Sequence, residues 1–176
     1  MTDKEIAEWI RDWMKNHPIC QELDSMYDDF RRYRADRFDT GTLTKLIYGM
    51  NPLKYMTSVP DGMFFDSYCN EVIIPDNIKS IGSCAFYGSN ITSVMIGNGV
   101  KSIGEDAFSL CNQLIIVTIG NSVTSIGSSA FYNCDSLMEI NFTGTKSQWN
   151  SIQLGKSWDS KSALRTIKCT DGIITL

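Results

Sequence analysis

A short skeleton, Ser-Ile-Gly-x-x-Ala-Phe, occurs three times in this chain, beginning at Ser80, Ser102 and Ser125. Other apolar positions keep the same step. A large aromatic falls at Phe64, Phe86, Phe108 and Phe131, at intervals of 22, 22 and 23 residues. Val59, Ile81, Ile103 and Ile126 share those intervals, and Val72, Val94, Val117 and Ile140 follow at 22, 23 and 23. Three columns in step mean that one structural unit is being repeated, which restricts the chain to a stack of like coils.

Each unit contains a run such as Leu114, Val117 and Ile119, whose end alternates as a short strand does. A second short apolar pair follows, then glycine and Ala-Phe, suited to a bend and an interior plug. A single coil cannot bury both of its faces, but stacked copies share one continuous core. Equivalent strands are then expected about 4.8 Å apart in a parallel ladder. Gly82, Gly104 and Gly127 are expected where a Cβ would crowd the neighbouring backbone. Pro60 takes that place in the first coil.

The runs "IPDNIKSIGSCAF", "VKSIGEDAFSLCNQL" and "VTSIGSSAFYNCDSL" resemble the BspA-like leucine-rich repeats, also seen in treponemal repeat proteins. The tail "FTGTKSQWNSIQLGKSW...IKCTDGIITL" resembles the C-terminal cap of such proteins. The resemblance covers residues of about 50 to 176, with residues 1 to 49 outside it, and the whole chain is expected to be α+β. Its expected form is a parallel-β solenoid of about four coils behind an α-helical N-terminal region. Three segments follow: a helical region over 1–49, repeats over 50–139, and a last repeat with its cap over 140–176.

Thr2-x-x-Glu5 has the capping-box pattern, with Ile6, Trp9, Ile10, Trp13 and Met14 at helical spacing behind it. Pro18 opens a second amphipathic stretch through Leu23, Met26 and Phe30, and a third runs through Leu43, Leu46 and Ile47. These helices either shield the open edge of the first coil or form a partner-binding arm. Near the other end, Trp149 and Ile152 predict a short helix after Thr145, and "TIKCTDGIITL" a hairpin turning at Asp171-Gly172.

Nothing here marks an enzyme. The only histidine is His17, without an evident acid partner, and the one tight acidic pair, Asp28 and Asp29, points to different helix faces. No phosphate loop, cofactor motif or C-x-x-C pair occurs, so neither cofactor nor zinc is expected. The six cysteines include Cys111 and Cys134 at equivalent positions in neighbouring coils, where parallel Cβ vectors favour buried thiols over a bridge. The start lacks a basic n-region and an apolar h-region, which points to a cytoplasmic protein, or to a surface protein whose leader was removed. A membrane partner is not expected.

The basic cluster Arg31, Arg32, Arg34 and Arg37 is a secondary candidate site together with Trp9 and Trp13. Flanking aspartates and a net charge of -4 argue against nucleic acid as its partner. The primary candidate is the outward strand face, formed by the residues that lie between the inward apolar positions of each run. There Ile73, Met95, Ile115, Ile116 and Met138 are apolar, with Glu71 and Glu139 beside them. Contiguous exposed apolar residues predict an interface with a protein partner or a second copy of the chain. The expected function is a non-catalytic binder, either an intracellular inhibitor of a host protein of the kind a phage encodes, or a cell-surface adhesin as the resemblance implies. A nucleic-acid-associated protein is the second alternative.

Overall fold

The computed structural model describes Leu53 and residues 56–67 and 70–176. The segment 1–49 expected to be helical, with Trp9, Trp13, His17, Arg31, Arg32, Arg34 and Arg37, lies outside the described residues.

Two sheets run along the stack. Short strands β1 (Ser58–Val59), β3 (Ser80–Ile81), β5 (Ser102–Ile103), β7 (Ser125–Ile126) and β9 (Gln153–Leu154) form a five-stranded parallel sheet in that order. Longer strands β2 (Glu71–Ile74), β4 (Ser93–Ile96), β6 (Ile116–Ile119), β8 (Glu139–Phe142) and β10 (Thr166–Cys169) pair in parallel in a second sheet. The strand β11 (Gly172–Thr175) closes that sheet antiparallel to β10. Each coil contributes one strand to each sheet and a bend between them. The register is the sequence period itself: Val72 faces Val94, Val94 faces Val117, and Val117 faces Ile140.

The core between the sheets is a set of side-chain ladders. Phe64, Phe86, Phe108 and Phe131 stack nearly parallel, with ring centroids 4.8, 5.1 and 5.3 Å apart. That spacing is close to the distance between neighbouring strands, so one ring per coil fills the bend without a gap. Behind the rings, Ser89, Cys111 and Cys134 each donate to the carbonyl of the phenylalanine one coil back, at 2.6, 3.1 and 3.1 Å. Cys111 and Cys134 are buried, and burial pushes the Cys134 thiol up to about 12.

The glycine column is equally tight. A Cβ on Gly104 would lie 2.6 Å from the Gly82 carbonyl carbon and 2.6 Å from the Ser83 nitrogen. On Gly82 it would meet Asp61 nitrogen at 2.5 Å, next to Pro60. The coils approach backbone to backbone here. Asp61 seals the same edge by accepting the Ser83 N–H at 2.7 Å.

Among the described residues the stack has five coils, where the repeat predicts about four. Ile126 pairs with Leu154 and Ile140 with Ile167, so both sheets continue through the stretch expected to hold the last repeat and its cap. The connection into the fifth coil is longer: twelve residues separate Phe142 from Leu154, against seven from Ile119 to Ile126. The extra length holds helix α1 (Lys146–Asn150), started by a Thr145–Gln148 capping box. Its Trp149 packs on Phe142 at 5.3 Å and on Trp158 at 6.0 Å. Trp158 also stands edge-on to Phe131, closing the ring ladder. By backbone bonding Trp158 occupies the alanine position: Phe131 N–H donates to its carbonyl as Phe108 N–H does to that of Ala130. The hairpin turns one residue earlier than expected, because Cys169 pairs with Gly172 and leaves Thr170-Asp171 as the loop.

Candidate protein-binding face

Strand alternation divides each long strand into core and solvent positions. In β4, Val94 and Ile96 are buried, whereas Met95 is exposed. In β6, Val117 and Ile119 are buried and Ile116 and Thr118 point outward, half covered. The ladder extends one residue before each strand. Ile115 N–H donates to Thr92 O, Met138 N–H to Ile115 O, and Arg165 N–H to Met138 O, so these positions stand side by side.

Outward side chains therefore lie in lines across the coils. One line is Thr92, Ile115, Met138 and Arg165. The next is Glu71, Ser93, Ile116, Glu139 and Thr166. The third is Ile73, Met95, Thr118, Asn141 and Lys168. Ile73 and Met95 are direct neighbours at the β2 end, 62% and 54% exposed. Ile115 and Met138 are neighbours two coils on, 56% and 63% exposed. Ile116, half-buried, bridges them diagonally from the middle line. The five side chains form a band across four strands, about 14 Å at the usual strand spacing.

Charge frames this band. Glu71 is exposed at the β2 end. Glu139 lies in a salt bridge with Lys168 at 2.6 Å, and both ends are accessible to solvent, so the pair adds little stability. Arg165 and Lys168 make the β10 end basic. Sequence reasoning missed these two residues because they belong to the coil that the repeat pattern did not reveal. A signal existed: the buried Ile167 continues the Val72 column 27 residues after Ile140.

The other sheet differs. Its outward positions are Ser58, Ser80, Ser102 and Ser125 in register, preceded by exposed Lys79, Lys101 and Thr124. That surface is polar from β1 to β7, and only at the β9 end does an apolar side chain, Leu154, reach solvent. Among the described residues no group of three or more histidines, cysteines or carboxylates is placed to hold a metal, and no helix is long and apolar enough to cross a membrane.

Comparison with solved structures finds two leucine-rich proteins and a vaccine antigen among its matches. A leucine-rich repeat protein from Bacteroides capillosus is 33% identical over 52% of this chain and 63% of its own, with a TM-score of 0.44. The pneumococcal vaccine antigen PcpA is 20% identical over 60% of this chain and 32% of its own, with a TM-score of 0.45. A leucine-rich cell surface protein from Faecalibacterium prausnitzii is 23% identical over 66% and 43%, with a TM-score of 0.33. The chain thus spans less than two thirds of each of these proteins. No curated protein matches it. A family model describing the BspA type leucine-rich repeat region matches residues 42–173 in six copies. The match runs over most of the chain, with the period that the ladders display, and the chain belongs to the BspA-type leucine-rich repeat family.

Proposed function

We propose that this chain is a non-catalytic module that binds a protein partner through the apolar band of its six-stranded sheet, in the cell-surface setting its family implies. The observation that carries this reading is the contrast between the two sheets. One presents serines, threonines and lysines to solvent along β1 to β7, with Leu154 alone at its β9 end; the other presents Ile73, Met95, Ile115 and Met138, each more than half exposed. Exposed apolar groups in one contiguous band have a cost in water that an interface removes. Methionine suits such a surface because its flexible, polarisable side chain adapts to a partner's relief. Glu71 and Glu139 are assigned to the rim.

The family match favours surface adhesion over the intracellular inhibitor. Neither fold nor family supports a phage origin or a cytoplasmic site. Nucleic-acid binding through Arg31 to Arg37 rests on residues outside the described region and predicts affinity that falls steeply with salt.

Quantitative capture of cell-surface proteins tests the reading, comparing the wild type, a Met95→Asp/Ile115→Asp variant and a Lys79→Asp/Lys101→Asp control. A specific partner is expected to be retained by the wild type and the control and lost from the band variant. Central anchors of an interface contribute more than about 1 kcal/mol each, so the double change should weaken binding at least ~30-fold. Undiminished capture by a correctly folded band variant would refute the assignment.

A further inference from the structure

We infer that the chain self-associates through β11, forming a two-fold dimer in which the six-stranded sheets of two copies join edge to edge. The inference is independent of the proposed partner band, and it starts from backbone groups. Among the described residues β11 pairs with β10 alone, leaving its far side as a sheet edge.

The hairpin register states which groups face that edge. A two-residue loop makes Cys169 and Gly172 a hydrogen-bonded pair, and bonded pairs then alternate along an antiparallel ladder. Ile167–Ile174 is the next bonded pair, and Leu176 N–H donating to Arg165 O at 3.0 Å keeps the same phase. The N–H and C=O groups of Ile173 and Thr175 therefore point away from β10. Both residues are exposed.

Those groups are self-complementary. A two-fold axis through Ile174, perpendicular to the sheet, brings Ile173 of one copy opposite Thr175 of the other, and the reverse. Each such pair exchanges two N–H···O bonds, four in all, and Ile174 meets its own mate across the axis. Ile174 is half-buried on the core side, and Ile173 is 55% exposed on the other, so the pairing also removes apolar surface. The strand itself carries no sequence protection: Gly172–Thr175 holds no charge, no proline and no bulge. Helix α1 meets β11, with Lys146 over the Gly172 position at the hairpin end. The axis also places both apolar bands on one side of the joined sheet, giving a bivalent binder whose avidity exceeds that of a single copy.

One four-residue strand pair buries less than the roughly 1,200 Å² of a standard complex. The dimer is therefore weak, forming between about 10 and 500 µM. Sedimentation equilibrium of the full chain over that range tests it with two variants. Thr175→Pro deletes only an edge-facing N–H, a place where strands tolerate proline. Ile173→Lys adds a charge to the edge and leaves the backbone alone. The wild type is expected to approach twice its monomer mass, and each variant to shift the midpoint at least tenfold upward, with unchanged circular dichroism. Should Thr175→Pro disturb the hairpin, Ile173→Lys alone decides. A wild type that stays monomeric throughout, or a dimer that survives Ile173→Lys and is lost with Met95→Asp, would overturn the inference.

Discussion

At the residue scale, the glycines separate into two kinds that the sequence alone does not distinguish. Gly104 is required for space, because its Cβ would enter the backbone of the preceding coil. Gly88 is required for conformation: its φ is +67°, and the nearest atom to a Cβ there is Asp66 Oδ1 at 3.6 Å. Gly104→Ala should therefore cost more than about 2 kcal/mol through a clash that no rotamer relieves. Gly88→Ala should cost only the left-handed penalty, about 1 kcal/mol. Urea denaturation of the two variants checks the order.

Asp106 belongs to the same bend, with a positive φ of 52°. Burial first, then the nearby Glu105 charge, raises its carboxyl above the usual range, against a lowering hydrogen bond from Ser109. A carboxyl raised by folding is best tolerated protonated, so its cost is absent below the unfolded value of 3.8 and complete above the folded one. Asp106→Asn keeps an acceptor for Ser109 and suits the left-handed backbone. The variant should melt higher than the wild type at pH 7, with the difference vanishing towards pH 3. A difference that persists at pH 3 would assign the gain to backbone conformation instead.

At the element scale, the legible parts were those where one coil repeats the residues of the last. The columns at Phe86, Ile103 and Val117 could be read because a ladder needs the same shape at each step. The fifth coil escaped because helix α1 lengthens its connection and Trp158 replaces the small alanine. The bends were opaque for another reason. Cys84, Asp106, Leu110 and Ser129 all have φ between 52° and 59°, a region that their side chains do not favour. Bonds from their N–H groups to the next coil impose it, as in Leu110 to Tyr132 O at 2.9 Å. Of the candidate site, Ile73, Met95 and Ile116 were readable from strand alternation, and Ile115 and Met138 from their place just after the inward Leu114 and Leu137, whereas Arg165 and Lys168 lie in the fifth coil. Trp158 tests the element account. Trp158→Ala should cost about 3–5 kcal/mol locally, because it opens a cavity between Phe131 and Trp149. Hydrogen exchange should then show β9, β10 and β11 losing protection while β4 and β6 keep theirs.

At the scale of the whole molecule, the solenoid is a device for building a flat surface out of short pieces. Each coil packs mainly on its neighbours, so the core sets the period and the outward positions are free to vary. The five-stranded sheet uses that freedom for a polar coat, and the six-stranded sheet carries apolar groups on successive coils. The central claim is that partner contact occurs on this second face. Photo-crosslinking reads it directly, with a benzophenone amino acid placed at Ile115 on one sheet or at Ser102 on the other. Exposed to the same cell-surface proteins, the chain labelled at Ile115 should yield a covalent adduct and the chain labelled at Ser102 none. Adducts from Ser102, or none from Ile115 while the wild type binds, would contradict it.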